Sequence, residues 1–100
     1  PRLSAYPTNT VHASASSQQV ALCIADLNHG QAYHFADGRW RAAVWNGRGA
    51  EMYTFEMVDD TSGSRVDIYR SVMSPFVDWG RCLDGGGEPS DGIVVARSSS

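Results

Sequence analysis

Apolar residues recur at helical spacing near the start of the chain and at alternating positions after it. The helical segment runs from residue 16 to residue 30, and its apolar positions fall on one side of a helix. Ser16 or Ser17 is expected to cap its start, because a serine hydroxyl can accept a bond from an unpaired first-turn amide. Gly30 is expected to end it as a left-handed stop. The apolar stripe consists of Val20, Cys23, Ile24 and Leu27.

From residue 31 onward the apolar positions alternate with polar ones, which is typical of strands with one buried face. Turn signals at Asp37-Gly38 and Asn46-Gly47 separate the first strands, and DGGGEPSDG is a long loop. One helix followed by antiparallel strands predicts an α+β domain, with a single N-terminal helix packed on a four- to five-stranded antiparallel sheet. The predicted strand segments are QAYHF, RWRAAVW, the hairpin within MYTFEMVDDTSGSRVDIY, FVDWGRCL and IVVA.

The domain boundaries follow from where this patterning starts and stops. Residues 1–15 are rich in Pro, Ser, Thr and Ala and are expected to form an irregular arm pinned by Leu3, Tyr6 and Val11. Residues 16–97 are expected to form the single α+β domain, and residues 98–100 a frayed tail. The residues predicted to face the helix are Tyr33, Phe35, Trp40, Tyr53, Phe55, Met57, Val66 and Ile68.

Composition and cysteine usage narrow the class of protein. The chain has 100 residues, 42% of them hydrophobic, and a net charge of −3, which does not favour a DNA-binding protein. Cys23 and Cys82 belong to no metal-binding motif, so no metal or other cofactor is expected. They are predicted to form a disulfide in a secreted protein, worth about 4 kcal/mol in the chain-entropy model. The alternative is two buried free thiols in an intracellular protein.

Strand parity then predicts a polar face opposite the helix. If the aromatic positions of each strand face the helix, His34, Glu56 and Arg65 project from the other side with Tyr69. Parity with Arg65 favours Glu56 over Glu51 as the acidic member. A carboxylate, an imidazole and a guanidinium are groups that can act as base and phosphate clamp in RNA cleavage. The alternative is a solvated face carrying a cross-strand ion pair.

The order of these parts resembles that of the microbial guanyl-specific ribonucleases. The segments that carry the resemblance are AYHF, EMYTFEMV, GSRVDIYR, FVDWGRCLDGG and DGIVVA. The resemblance implies a catalytic face composed of Glu56, His34 and Arg65. Candidate binding residues around it are Tyr69, Thr54, Asp67 and Arg81.

One departure from the family bears on activity. FVDWGRCL holds no second histidine, and Arg81 is too basic to act as a general acid at neutral pH. The chain is therefore also similar to the ribonuclease-like effectors of plant-pathogenic fungi, which keep the fold and a single disulfide but lack the catalytic set.

Three functions follow as hypotheses. The first is a secreted ribonuclease-like binding module, whose expected partner is a host protein or single-stranded RNA, with an immune receptor as a further partner. The second is an active endoribonuclease toxin that leaves 2′,3′-cyclic phosphate ends. The third is a small secreted inhibitor or lectin-like protein with a merely solvated sheet face. Neither a membrane partner nor an oligomer is expected.

Overall fold

The computed structural model describes residues 6–84 and 95–98, the last of these by their backbone. These described residues form one α-helix, six strands and a short 3-10 helix. Their bounds are β1 (Asn9–Ala13), α1 (Ser17–Leu27), β2 (Gln31–Phe35), β3 (Trp40–Trp45), β4 (Glu51–Asp60), β5 (Gly63–Arg70), the 3-10 helix (Gly80–Cys82) and β6 (Val95–Ser98).

The strands form one sheet in the order β1-β5-β4-β3-β2-β6. The first five pair antiparallel to one another, and β6 adds to β2 in parallel. Strands β2 to β5 follow the chain in sequence and are joined by short turns, whereas β1 and β6 lie at the two edges. The predicted α+β architecture, with an N-terminal helix on an antiparallel sheet, is therefore confirmed.

The helix begins as predicted and ends differently. Ser16 caps its start, and Gln19 completes a capping box in which each side chain bonds the other residue's backbone amide. At the end, His29 rather than Gly30 adopts the left-handed conformation, with φ of 53°. Gly30 is needed for a different reason: a Cβ there would lie 2.3 Å from the backbone oxygen of Ala43. The glycine thus lets the chain enter β2 tightly against β3.

The helix packs across β2, β3 and β4, and small residues allow it to come close. Ala32 and Ala42 are opposite each other on β2 and β3, and both are fully buried. Because interiors are close-packed, a large ring at either position would push the helix away. The largest fully buried side chains include Tyr53, Phe55, Ile24, Met57, Ile68, Val20 and Val66.

Two of the predicted core positions are wrong, because only small side chains fit beneath the helix at this point of β2. Tyr33 and Phe35 are only half-buried, and their strand turns Ala32 and His34 toward the helix instead. The six other predicted core positions are buried. They are Trp40, Tyr53, Phe55, Met57, Val66 and Ile68.

A disulfide joins the helix to the segment that follows β5. Cys23 and Cys82 are bonded, with Cα atoms 5.7 Å apart, and both are buried. The segment was predicted to contain a strand at residues 76–83. It instead runs irregularly into the 3-10 helix, and the backbone oxygen of Leu83 accepts bonds from the amides of Ser14 and Ala15. The predicted pairing of the cysteines is confirmed.

Part of the segment before the helix, which the sequence predicts to be an irregular arm, forms a regular strand. Residues 9–13 form β1, which pairs with β5, and Val11 packs against the core. Tyr6, in contrast, is 94% exposed and pins nothing. Leu3, most of the DGGGEPSDG loop and the last two tail residues lie outside the described residues.

Within the described residues, no helix is long and apolar enough to cross a membrane. The only α-helix found there, α1, has 11 residues.

Candidate functional site

Cross-strand pairing shows which side chains share the surface away from the helix. Residues paired directly across neighbouring strands point to the same side of a sheet. Ile68, Phe55, Ala42 and Ala32 form one such row and are buried, so their side of the sheet is the covered face. The adjacent row points the other way, onto what we call the open face. That row consists of Thr10, Asp67, Glu56, Arg41 and Tyr33.

The histidine expected on the open face lies on the covered face. His34 pairs with Trp40, and the two rings stack with centroids 4.5 Å apart and planes 7° from parallel. Trp40 is buried against the core. The prediction that His34 shares a surface with Glu56 and Arg65 is therefore wrong, and the imidazole is a packing group.

Glu56 and Arg65 do lie on the open face, but they do not pair with each other. Glu56 is directly opposite Asp67, while Arg65 is opposite Val58. Arg65 binds Asp67 on its own strand, with Nε 3.2 Å from Oδ1 and Nη2 3.2 Å from Oδ2. The expected cross-strand ion pair is thus replaced by a pair along β5. Thr10 adds a further hydroxyl bond to the same Asp67 carboxylate.

A bulge brings a second glutamate onto the open face. Val44 is opposite Tyr53, but Trp45 is opposite Glu51, so β4 holds one extra residue at this point. The shift reverses the parity of Glu51 and turns its carboxylate toward Arg41, at 2.9 Å from Nη2. The hydroxyl of Thr54 donates to the same carboxylate oxygen. The ion pair is more than three-quarters buried, which protects it from solvent screening.

Glu56 remains without such a partner. Within the described residues its half-buried carboxylate takes part in no ion pair and no hydrogen bond. Its charge nevertheless acts on Tyr69, whose pKa is raised above 10.0 by burial first and then by the Glu56 and Asp67 carboxylates. Tyr69 therefore keeps its proton and stays a hydrogen-bond donor at neutral pH.

Arg81 lies apart from this face. It belongs to the 3-10 helix beside the disulfide, on the side of the sheet that the helix covers. Its guanidinium is largely exposed and lies 3.9 Å from the Asp78 carboxylate. The structure therefore does not bring Arg81 together with the predicted binding residues Tyr69, Thr54 and Asp67.

One end of the sheet carries exposed apolar side chains, which we call the rim. The rim consists of Tyr6, Val72, Met73 and Phe76, whose exposed fractions lie between 83% and 100%. The last three follow β5 directly. The amide of Thr8 bonds the backbone oxygen of Ile68, so the chain before β1 leaves the sheet at this same end. The rim residues therefore come from two segments that meet the sheet at this end, and the Phe76 ring stacks on Trp79 with centroids 6.1 Å apart.

A small open pocket lies beside the rim, where β4 begins and β5 ends. Its volume is about 170 Å³. Drug-sized ligands occupy pockets of roughly 300–1,000 Å³, so this one suits a single side-chain head group. The lining residues are Glu51, Met52, Thr54, Tyr69, Arg70 and Ser71.

The open face has little of what RNA cleavage requires. Both of its arginines, Arg41 and Arg65, are already bound to carboxylates. His12 is on this face, but it lies beside Asp60, at 3.5 Å, near the opposite end from the pocket. No group of three or more potential metal ligands occurs among the described residues. The two arginines are therefore engaged by carboxylates of the protein itself.

Sequence reasoning missed Arg41, Glu51 and Tyr33 as members of this face. The strand RWRAAVW places Arg41 out of phase with Trp40, a signal that was present in the alternation. Glu51 had no comparable signal, because its orientation depends on the bulge. Tyr33 lies beneath the Arg41 guanidinium, 5.9 Å from its carbon, and its hydroxyl donates to Gln31.

The sequence matches no protein-family model, and comparisons with curated proteins and with solved structures also give no match. These comparisons lend no support to the resemblance to ribonucleases, which stays a hypothesis based on short segments.

Proposed function

We propose that this protein is a secreted, non-catalytic binding module that engages a partner protein through the rim end of its sheet. The observation that carries the proposal is the exposure of Tyr6, Val72, Met73 and Phe76, which come from the two segments that meet the sheet at that end. Large apolar side chains left in water on a small domain favour an interaction site, because their exposure is unfavourable. No other large hydrophobic side chain in the described residues is this exposed.

A protein partner fits this surface better than RNA does. Phosphate binding needs available cations, and the open-face arginines are held by Glu51 and Asp67. That face also carries more carboxylates than guanidinium groups, and the whole chain has a net charge of −3.

The disulfide supports the secreted part of the proposal. Cys23 and Cys82 are bonded and buried, and such bonds persist in oxidising compartments. Alkylation of protein isolated from its native source is expected to modify neither cysteine until a reductant is added. Full alkylation without reductant would contradict secretion into an oxidising medium.

A display experiment tests the interface. Random 12-residue peptides are selected on the wild-type protein and then measured against a variant carrying Val72→Ser, Met73→Ser and Phe76→Ser. Val72 and Met73 are almost fully exposed and Phe76 reaches the core only through the Trp79 ring, so the variant is expected to stay folded, which its melting temperature checks. Selected peptides should lose at least tenfold in affinity. Binders that ignore all three substitutions would contradict the proposed interface.

An RNA assay tests the absence of catalysis. Incubation with single-stranded RNA is expected to give no product with 2′,3′-cyclic phosphate ends, because no histidine accompanies Glu56 on its part of the face. The Glu56→Gln variant is the matched control. Cleavage by the wild-type protein that this variant abolishes would overturn the non-catalytic assignment.

A further inference from the structure

Among the carboxylates that the described residues place on the open face, Glu56 differs from the others. Each of the others lies beside a basic side chain. These pairs are Glu51 with Arg41, Asp67 with Arg65 and Asp60 with His12. Glu56 takes part in no ion pair and no hydrogen bond within residues 6–84. It is therefore the carboxylate of this face that can still receive a cation.

The neighbours of Glu56 across the sheet do not compensate its charge. On one side it is directly opposite Asp67, and like charges directly opposite each other are destabilising. On the other side it is directly opposite Arg41, but that guanidinium is bound to Glu51. A cation from outside the chain would therefore relieve an unfavourable arrangement at this position.

The side chains around Glu56 suit an organic cation on an aliphatic stem. Thr54 and Val58 flank it on the same face of β4, and the half-buried Val58 offers apolar surface to such a stem. Tyr69 is opposite Thr54 and so lies diagonally from Glu56. A calcium ion takes roughly six to eight oxygen ligands, so one carboxylate and one phenol suit an ammonium or guanidinium group instead.

The negative charge extends to the Tyr69 hydroxyl. Burial first, and then the Glu56 and Asp67 carboxylates, raise the pKa of this phenol. The hydroxyl makes no hydrogen bond within residues 6–84, so its oxygen can accept one from a bound cation. Charge and hydrogen-bonding capacity therefore favour the same kind of ligand at this position.

Tyr69 connects this position to the rim. It lines the pocket of about 170 Å³ beside the rim, and Val72 follows it by three residues. A chain spans at most about 3.3–3.6 Å per residue, so the two backbones are no more than roughly 11 Å apart. A partner segment of a few residues can contact both Glu56 and the rim.

We propose that the open face receives a Lys or Arg side chain of the partner protein, with Glu56 as its counterion, while the partner's neighbouring apolar residues contact the rim. The inference rests on the proposed function, because the rim supplies the rest of the contact. Charge complementarity identifies the occupant: the chain has a net charge of −3, which attracts a basic partner over distance. The same charge repels the phosphates of a nucleic acid from this position.

The first test uses a probe that does not depend on the rim. Tetralysine is titrated into the 15N-labelled full chain, with tetraglutamate at equal ionic strength as the reference. The amides of residues 55–57 and of Tyr69 are expected to shift saturably with tetralysine alone. Glu56→Gln should abolish saturation there. Absence of saturable shifts at these amides in the wild-type protein overturns the inference.

The matched control for this titration is Asp26→Asn. Asp26 is half-buried on α1 and, like Glu56, forms no ion pair within residues 6–84. Its replacement removes the same unit of charge from the side of the sheet that the helix covers. Asp26→Asn should leave the tetralysine shifts saturable. Equal losses in the two variants would show attraction by net charge alone and overturn the assignment to Glu56.

The second test uses peptides selected on the protein. These should contain Lys or Arg next to apolar residues, and changing that basic residue to Gln should weaken binding about fivefold. Glu56→Gln should weaken the parent peptide equally. The two changes together should weaken binding no more than either one alone, because they remove the same contact. Additive losses, or selected peptides without a basic residue, overturn the assignment.

The outcomes separate the cation site from the interface as a whole. Peptides that need the rim but ignore Glu56 refute the cation site and leave the proposed function standing. Saturable binding of tetralysine at Glu56 without any rim-dependent peptide refutes the proposed function and keeps the cation site. A dimer that light scattering detects for the wild-type protein, and not for Glu56→Gln, overturns the commitment to a different protein as the occupant.

Discussion

The two faces of the sheet are built by different rules. The covered face is made of apolar side chains that pack by shape, with alanines where the helix comes close and rings where it does not. The open face carries charged side chains that form separate ion pairs, such as Arg41 with Glu51 and Arg65 with Asp67. Stability is therefore concentrated on the covered face, which leaves the open face and the rim free to vary with a partner.

Removal of the disulfide is expected to give the largest loss of stability on the covered face. The bond between Cys23 and Cys82 closes a loop across a sequence separation of 59 residues. Replacing both cysteines by serine is expected to lower the free energy of unfolding by about 4 kcal/mol. Urea denaturation followed by tryptophan fluorescence measures the change. An unchanged midpoint would show that the bond contributes little to the native state.

A cavity in the covered face is expected to lower the free energy of unfolding somewhat less than loss of the disulfide does. Ile68 is 1% exposed on β5, and Ile68→Ala is expected to lower the free energy of unfolding by about 3 kcal/mol. Val58→Ala on the open face is the control, with an expected loss of about 1 kcal/mol or less because that side chain is half-buried. Equal losses at the two positions would contradict the difference between the faces.

Two glutamates on the open face should differ from each other. Glu51→Gln removes the charge that neutralises the mostly buried Arg41 guanidinium, and should cost about 1.5 kcal/mol in urea denaturation. Glu56→Gln should change stability by less than about 0.5 kcal/mol, because that carboxylate faces Asp67 and has no counterion among residues 6–84. The reverse order would mean that Glu56, not Glu51, is the acid that the face depends on.

The smallest effect concerns the phenol of Tyr69. Its pKa is raised above the ordinary 10.0, so the folded state holds this proton more tightly than the unfolded state does. The contribution to stability is fully present below about pH 10 and is lost as the pH rises through the higher folded value. The difference in ultraviolet absorbance titration between wild type and Tyr69→Phe measures this directly. A midpoint at or below 10.0 would show that neither burial nor the nearby carboxylates raise the pKa of the phenol.

The features that were predicted correctly from the sequence are those that depend on long, regular patterns. The helix stripe and its serine cap, the hairpins after residue 31 and the pairing of Cys23 with Cys82 are of this kind. Each is specified by several residues at once, so a single misleading position does not change the outcome. The same is true of the core residues on β4 and β5, where apolar side chains alternate at Tyr53, Phe55 and Met57 in one strand and at Val66 and Ile68 in the other.

The sequence predictions were wrong where the orientation of a side chain depends on a single residue. Strand β2 alternates alanine and histidine with tyrosine and phenylalanine, and apolar content alone favours burying the rings. The close approach of the helix reverses that choice, because only Ala32 fits beneath it. Glu51 changed faces through one extra residue in β4, and a one-residue shift moves a side chain to the other side of a sheet. Secondary-structure propensity indicates neither the orientation of Ala32 nor that of Glu51, since both orientations depend on neighbouring elements.

The order of the strands has a consequence for how the chain folds. Strands β2 to β5 form a meander in which each pairs with its neighbour in sequence, so their contacts close over short loops. Strand β1 must find β5 across about half of the chain, and β6 must return to β2 in parallel. Loop closure slows such distant pairings, so we expect the meander to form early and the two outer strands to join late. Amide protons of β1 would then exchange with solvent sooner than those of β4.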